Sequence, residues 1–197
     1  IPGIDSPRVK SFYTINDGIE LRKGLKTGKI GNVAVIGGGY IGVELCEAFK
    51  AMWGIDVHLI ELRNHVMSNV LDEEISELVE SEMIDQGIDI RLRCGCHQIM
   101  DKGDSTVIID GNGKELEVDA IVVATGVSPN SDIAQKAGLE IGATGGIKVT
   151  GNLQTSDPEI YAAGDCVEMS SVVDGKSNIF PLGSLANRMG RIVGDNV

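Results

Sequence analysis

Three glycines, Gly37, Gly39 and Gly42, stand at the spacing G-x-G-x-x-G. They follow the apolar run 33–36 (VAVI) directly. They lead into a segment whose apolar residues Ile41, Leu45, Ala48, Phe49 and Met52 recur at helical offsets. That context gives each glycine a task. The first permits a tight turn, the second lets backbone approach a pyrophosphate, and the third lets helix and strand pack closely. The helix that opens there offers unpaired N–H donors and partial positive charge to phosphate oxygens. Nineteen residues beyond Gly42, at the end of a second strand (56–61, DVHLIE), stands Glu61. This is the distance at which an acid accepts from an adenosine ribose. A 2′-phosphate 4 Å from that carboxylate would be opposed by about 1 kcal/mol in water and about 4 kcal/mol at an effective dielectric of 20. Glu61 therefore argues for NAD over NADP, with Arg63 and His65 just beyond it able to soften the preference.

The remaining reactive residue types form no comparable constellation. Cys46, Cys94, Cys96 and Cys166 include no C-x-x-C pair and no second pair at zinc spacing. Cys46 falls among apolar residues of the first βαβ helix. Cys94 and Cys96, two apart, would share one face of a strand. All four read as reduced structural cysteines of a cytoplasmic protein. His58, His65 and His97 lack metal spacing or a nucleophile partner and read as structural or surface residues, so no metal site is assigned. Tyr13, Tyr40 and Tyr161 have no Lys four residues on, which removes the acid–base pair of a stand-alone dehydrogenase. Trp53 reads as packing.

The elements that must carry the glycine turn are legible from periodicity. The chain has 197 residues, 42% hydrophobic, enough for one good core or for one domain and part of another. No apolar run approaches the roughly 20 residues of a membrane span. A formal charge of −12 repels phosphate backbones and anionic lipid, so nucleic-acid and membrane-surface binding are set aside. Residues 15–25 read as a short helix capped by Asn16 or Asp17, with Gly28 at its exit. A second helix opens at Leu71-Asp72-Glu73-Glu74, with Leu71, Ile75, Leu78, Val79 and Met83 as its apolar face, and 88–92 is a third strand. Segments 98–100, 106–109 and 115–118, separated by DKGD and DGNG turns, predict a three-stranded antiparallel meander. The run 120–124 (AIVVA) returns to the parallel sheet. Beyond Pro129 the reading gives a short helix, strands at 147–149 and 160–163, a polar hairpin around Asp174-Gly175 and a final helix from about Gly183. The fold class expected is α/β: a Rossmann-like parallel sheet with a three-stranded antiparallel meander, plus a partial second domain. The divisions are 1–29, connector and leading helix; 30–126, dinucleotide-binding domain; 127–197, a returning segment of another domain.

Four segments together resemble the FAD-dependent pyridine nucleotide–disulfide oxidoreductases: VAVIGGGYIGVE (33–44), ATGVSPN (124–130), TSDPEIYAAGD (155–165) and PLGSLAN with Gly190-Arg191 (181–191). The last is most similar to the branch holding NADH oxidases, NADH peroxidases and coenzyme A-disulfide reductases. The resemblance implies that Gly37, Gly38, Gly39, Ile41 and Gly42 hold the NADH pyrophosphate. It has Tyr40 gate the nicotinamide pocket and places Glu44 near the carboxamide. It further implies that Glu61 takes the adenosine ribose and that Thr125 and Gly126 line the dinucleotide cleft. Gly164 and Asp165 would bind the ribityl–phosphate region of FAD. The helix starting at Gly183 would aim its N-terminus at the flavin, with Asn187 near the substrate side. The family's own FAD-binding glycine turn and redox cysteine are expected upstream, and its dimerisation domain downstream. The chain is thus expected to be the central NAD(H)-binding piece of a homodimeric, cytoplasmic flavoenzyme, binding NAD(H) while retaining little FAD and no turnover by itself. A rubredoxin- or ferredoxin-type reductase domain and a stand-alone NAD-binding module are the alternatives.

Overall fold

The computed structural model describes residues 1–197, which form two compact units, Ile1–Gly126 and Val127–Val197. The first unit is built on a five-stranded parallel sheet. Its strands are β1 (Val9–Lys10), β2 (Asn32–Ile36), β3 (Asp56–Ile60), β4 (Asp89–Arg91) and β8 (Ala120–Val123), in the order β1-β8-β2-β3-β4. The apolar run of β2 is continuous because both of its faces are covered. Val33 and Val35 pack with Leu45, Phe49 and Met83 on the helical side. Ala34 and Ile36 pack with Ile99, Ile108 and Leu116 on the other. Each of these side chains larger than alanine contributes about 1.5–3 kcal/mol by leaving water. The second face is closed by the antiparallel meander β5 (Cys96–Asp101), β6 (Thr106–Asp110) and β7 (Glu115–Val118). The α/β class, the parallel sheet and the meander match the sequence reading.

Helix α1 (Ile15–Lys26) is capped differently from expectation. Thr14 is the N-cap, and Asp17 closes a capping box by accepting from Thr14 N at 2.7 Å and Tyr13 N at 2.9 Å. Helix α2 (Tyr40–Glu47) runs into a π turn, Ala48–Met52. The extra residue of that turn rotates the register, so Phe49 stays buried while Met52 swings out to 76% exposure, against the reading that placed it on the core face. Ile41, assigned to the same face, is also exposed, beside the glycine turn. Helix α3 (Glu73–Asp85) is rotated by one residue from the expected face. Ile75 and Leu78 face solvent at 48% and 67% exposure, and Ser76, Val79 and Met83 face the sheet. The rotation follows from Glu80, whose carboxylate turns inward to accept from Val66 N at 2.9 Å. Strand β1 escapes a periodicity argument because it is two residues long. Cys94 precedes β5, so it and Cys96 do not share one strand, although both pack into the meander-side core.

The second unit holds α4 (Asp132–Lys136), β9 (Ile147–Lys148), β10 (Val167–Ser170), β11 (Ser177–Asn178) and α5 (Gly183–Asn196). The three strands make a small sheet in the order β11-β10-β9, over a core of Leu153, Val167 and Met189. The strand expected at 160–163 is absent. Asp157-Pro158 starts a turn in which Ile160 N donates to Asp157 O at 3.1 Å, leaving a single bridge between Gln154 and Tyr161. Glu168 is buried and organises the unit. Its carboxylate accepts from Thr144 N at 2.7 Å and Thr144 Oγ1 at 2.6 Å, and Gly142 makes room for it: a Cβ there would lie 2.2 Å from the carboxylate. No helix is long and apolar enough to cross a membrane.

Candidate functional site

In an open parallel sheet, ligands settle outside the carboxyl ends of the strands where the strand order reverses. Here that point lies between β2 and β8. From β2 the chain moves out through β3 to β4, and β8 returns on the opposite side. The residues leaving β2 and β8 at this point are Gly37 and Thr125. Gly37 has φ 109, and a Cβ on it would lie 2.4 Å from Ala124 O. Gly42 is equally confined, with a Cβ position 1.8 Å from Gly37 O. The first and third glycines are therefore demanded by the chain itself, which locks the end of β2 to the first turn of α2.

Gly39 differs. It is exposed, its backbone is extended (φ −81, ψ −172), and a Cβ on it would meet nothing within 4 Å. It is the N-cap of α2 and makes no side-chain cap bond, and the first turn carries no acidic residue. The first N–H groups of α2 thus face open space with the helix dipole behind them, an arrangement that attracts an anion. Tyr40, Ile41 and Glu44 are exposed on this turn. Gly38, by contrast, is buried and held at both ends: its N–H donates to Glu61 Oε2 at 2.5 Å, and its carbonyl accepts from Met67 N at 2.7 Å. Glu61 Oε1 accepts from Arg63 N at 2.7 Å. The acid is thereby pinned beside the glycine turn with further lone pairs free for hydroxyl donors.

The structure therefore brings Gly37, Gly38, Gly39, Tyr40, Ile41, Gly42, Glu44, Glu61, Thr125 and Gly126 to one end of the first unit's sheet. Gly164, Asp165, Gly183 and Asn187 belong to the second unit. There Gly164 N donates to Met189 Sδ at 3.2 Å, Asp165 is exposed, and α5 opens at Gly183 with no side-chain cap at Leu182. Sequence reasoning missed Met67. Its contribution is a backbone N–H placed by an unusual φ of 51, which no residue type announces.

Cys46, Cys94 and Cys96 are not poised as nucleophiles. Burial pushes the Cys46 thiol up to about 12, and burial likewise raises Cys94 and Cys96. Two of the three histidines gain partners that linear spacing hides. His58 Nδ1 lies 2.8 Å from Asp89 Oδ2. His65, Glu73 and Glu77 gather with their ligand-type atoms within 4.8 Å, and His65 and Glu73 are bonded to each other. A polar cleft of about 430 Å³ lies along β4 and the meander, lined by none of the glycines of the turn. Its charges are internally matched: Arg91 reaches Asp89 at 3.1 Å and Asp110 at 3.9 Å.

The family model for pyridine nucleotide-disulphide oxidoreductases matches residues 1–190. The chain belongs to this family. Among its relatives, the NADH oxidase of Methanocaldococcus jannaschii is 36% identical over 197 residues, all of this chain and 43% of that protein. A NAD-dependent persulfide reductase from A. fulgidus superposes with a TM-score of 0.93 at 38% identity, over 100% of this chain and 36% of that one. A water-forming NADH oxidase from Lactobacillus brevis, solved with NADH bound, superposes with a TM-score of 0.89 at 30% identity, over 100% of this chain and 42% of that one. The chain thus spans less than half the length of the pyridine nucleotide-disulphide oxidoreductases it matches.

Proposed function

We propose that this chain is the NAD(H)-binding part of a flavin-dependent NAD(P)H oxidoreductase. The observation that carries the reading is the asymmetry among the three glycines. Gly37 and Gly42 are required by internal packing, whereas the side of Gly39 that a Cβ would fill touches no protein atom. A glycine kept where the chain does not need one, at an uncapped helix N-terminus, fits close approach of a pyrophosphate. In this reading the N–H groups opening α2 hold the phosphates, and Glu61 accepts from the adenosine ribose. Tyr40 and Glu44 lie along the nicotinamide side, and Thr125 and Gly126 close the opposite wall. The work of these residues is to bind and orient one reactant.

Residues 127–197 are read as a returning segment of the FAD domain, with Gly164 and Asp165 toward the ribityl phosphate, α5 toward the ring system and Asn187 near the substrate. The uncapped N-terminus of α5 and the exposed Asp165 fit such a role. The flavin, when bound, would supply the two-electron acceptor for reduced nicotinamide. The chain's limited share of its relatives' length supports a longer parent, read here as a homodimer whose redox cysteine or other acceptor site lies in further sequence. Four free thiols fit a reducing, cytoplasmic setting. Isothermal titration of the 197-residue chain with NADH tests the reading: one site per chain is expected, and a folded chain that takes no NADH refutes it.

A further inference from the structure

The loop joining β3 to α3 reaches the glycine turn through one backbone bond, Met67 N to Gly38 O at 2.7 Å. Met67 holds φ 51, a conformation that a non-glycine residue keeps only where its surroundings over-determine it. What determines it lies on both sides. Two residues earlier, the largely buried imidazole of His65 bridges α3, with Nε2 2.9 Å from Glu73 Oε1 and Nδ1 3.3 Å from Glu80 Oε1. The same Glu80 oxygen accepts from Val66 N at 2.9 Å. On the far side, Val70 N and Leu71 N both donate to Met67 O, at 2.9 and 3.0 Å. The C=O and N–H of a trans peptide point in opposite directions. Fixing Gly38 O on Met67 therefore turns the Gly39 N–H the other way, to the open side of the turn.

The geometry points to His65 as a positioning residue: by latching the 62–71 loop to α3, it holds Met67 against Gly38 and so presets the Gly39 amide for the dinucleotide phosphates. This rests on the reading of the turn as an NAD(H) site. The charged groups around the imidazole are Glu73, Glu77 and Glu80 on α3; the loop also carries Glu61, bonded to Gly38, and Arg63, bonded to Asn69. A doubly protonated ring donates to both carboxylates, whereas a neutral ring turns a lone pair toward one of them. The hydrogen bond the ring donates to Glu73, reinforced by the Glu80 charge, raises the imidazole above its usual range.

The test uses the 197-residue chain, His65→Gln, Glu73→Gln and, as an ion-pair control on β3, His58→Gln. Two readouts are taken: NADH affinity by calorimetry across pH, and exchange of the Met67 amide by NMR without ligand. His65→Gln should weaken NADH roughly fivefold, a typical coupling between sites, and speed Met67 exchange about tenfold. His58→Gln should change neither. Affinity of the unmodified chain should fall as pH rises through the His65 titration, and the His65→Gln profile should be flat across that range. Unchanged Met67 exchange in His65→Gln overturns the latch, and faster exchange with unchanged affinity overturns its coupling to binding. If the unmodified chain binds no NADH, the dinucleotide reading fails, while Met67 exchange still decides the latch. Should His65→Gln fold poorly, Glu73→Gln, altered at an exposed side chain, reads both quantities in its place.

Discussion

Replacing Gly39 by alanine should separate binding from folding. The added methyl meets no protein atom within 4 Å, and the backbone at this position is ordinary extended chain. Alanine is a poorer N-cap than glycine by about 0.5–1 kcal/mol. It also narrows the unfolded ensemble, which returns about 0.4–1 kcal/mol. The net change in stability should fall within about 0.5 kcal/mol. The methyl nevertheless stands where a pyrophosphate must touch backbone, so NADH affinity should drop at least about tenfold, or 1.4 kcal/mol. Gly42→Ala makes the opposite case. Its Cβ would lie 1.8 Å from Gly37 O, an overlap that only a shift of α2 relieves, and stability should fall by about 3 kcal/mol or more. Urea denaturation gives the first quantity and calorimetry the second. The reasoning is refuted if Gly39→Ala binds NADH within about twofold of the unmodified chain, or if it unfolds as readily as Gly42→Ala.

Glu61→Gln should narrow the preference for NADH over NADPH by removing a repulsion of about 1–4 kcal/mol from a 2′-phosphate; parallel titrations with the two nucleotides measure it, and an unchanged ratio would remove Glu61 from the ribose site. Hydrogen bonds from Thr144 hold the Glu168 carboxyl below its usual range. The stability it contributes is therefore complete above the ordinary glutamate value and lost as pH falls through the depressed one, so urea midpoints should decline on acidification less steeply in Glu168→Gln than in the unmodified chain. Cys46, fully buried and titrating only near 12, should resist a thiol reagent at pH 8 until the chain is unfolded; mass spectrometry after labelling shows whether it does.

Much of the site was written in local pattern. The glycine spacing, the buried run before it and the acid nineteen residues on belong to one contiguous βαβ stretch, where periodicity of 2 and 3.6 is informative. Helix faces were less legible. The π turn at Ala48–Met52 displaces Met52, and α3 turns so that Glu80 reaches inward. Neither leaves a trace in hydrophobic spacing: the first is a change of backbone hydrogen bonding, and the second accompanies a bond to Val66 outside the helix. The strand expected at 160–163 failed for a related reason: its apolar residues pair across a Pro158 turn at one bridge only.

The class of fold, the βαβ stretch and the glycine turn between its first strand and helix were thus determined by the sequence alone, through short-range sterics and burial pattern. Which glycines serve the chain and which one meets no protein atom was decided only in three dimensions. A Cβ on Gly37 would run into Ala124 and one on Gly42 into Gly37, whereas one on Gly39 would meet nothing. The same holds for the bonds from Glu61 and Met67 to Gly38, and for the clamp of His65 between Glu73 and Glu80. Those contacts join segments separated by 8–29 residues, and one of them is a backbone N–H, which every residue but proline carries and no motif encodes.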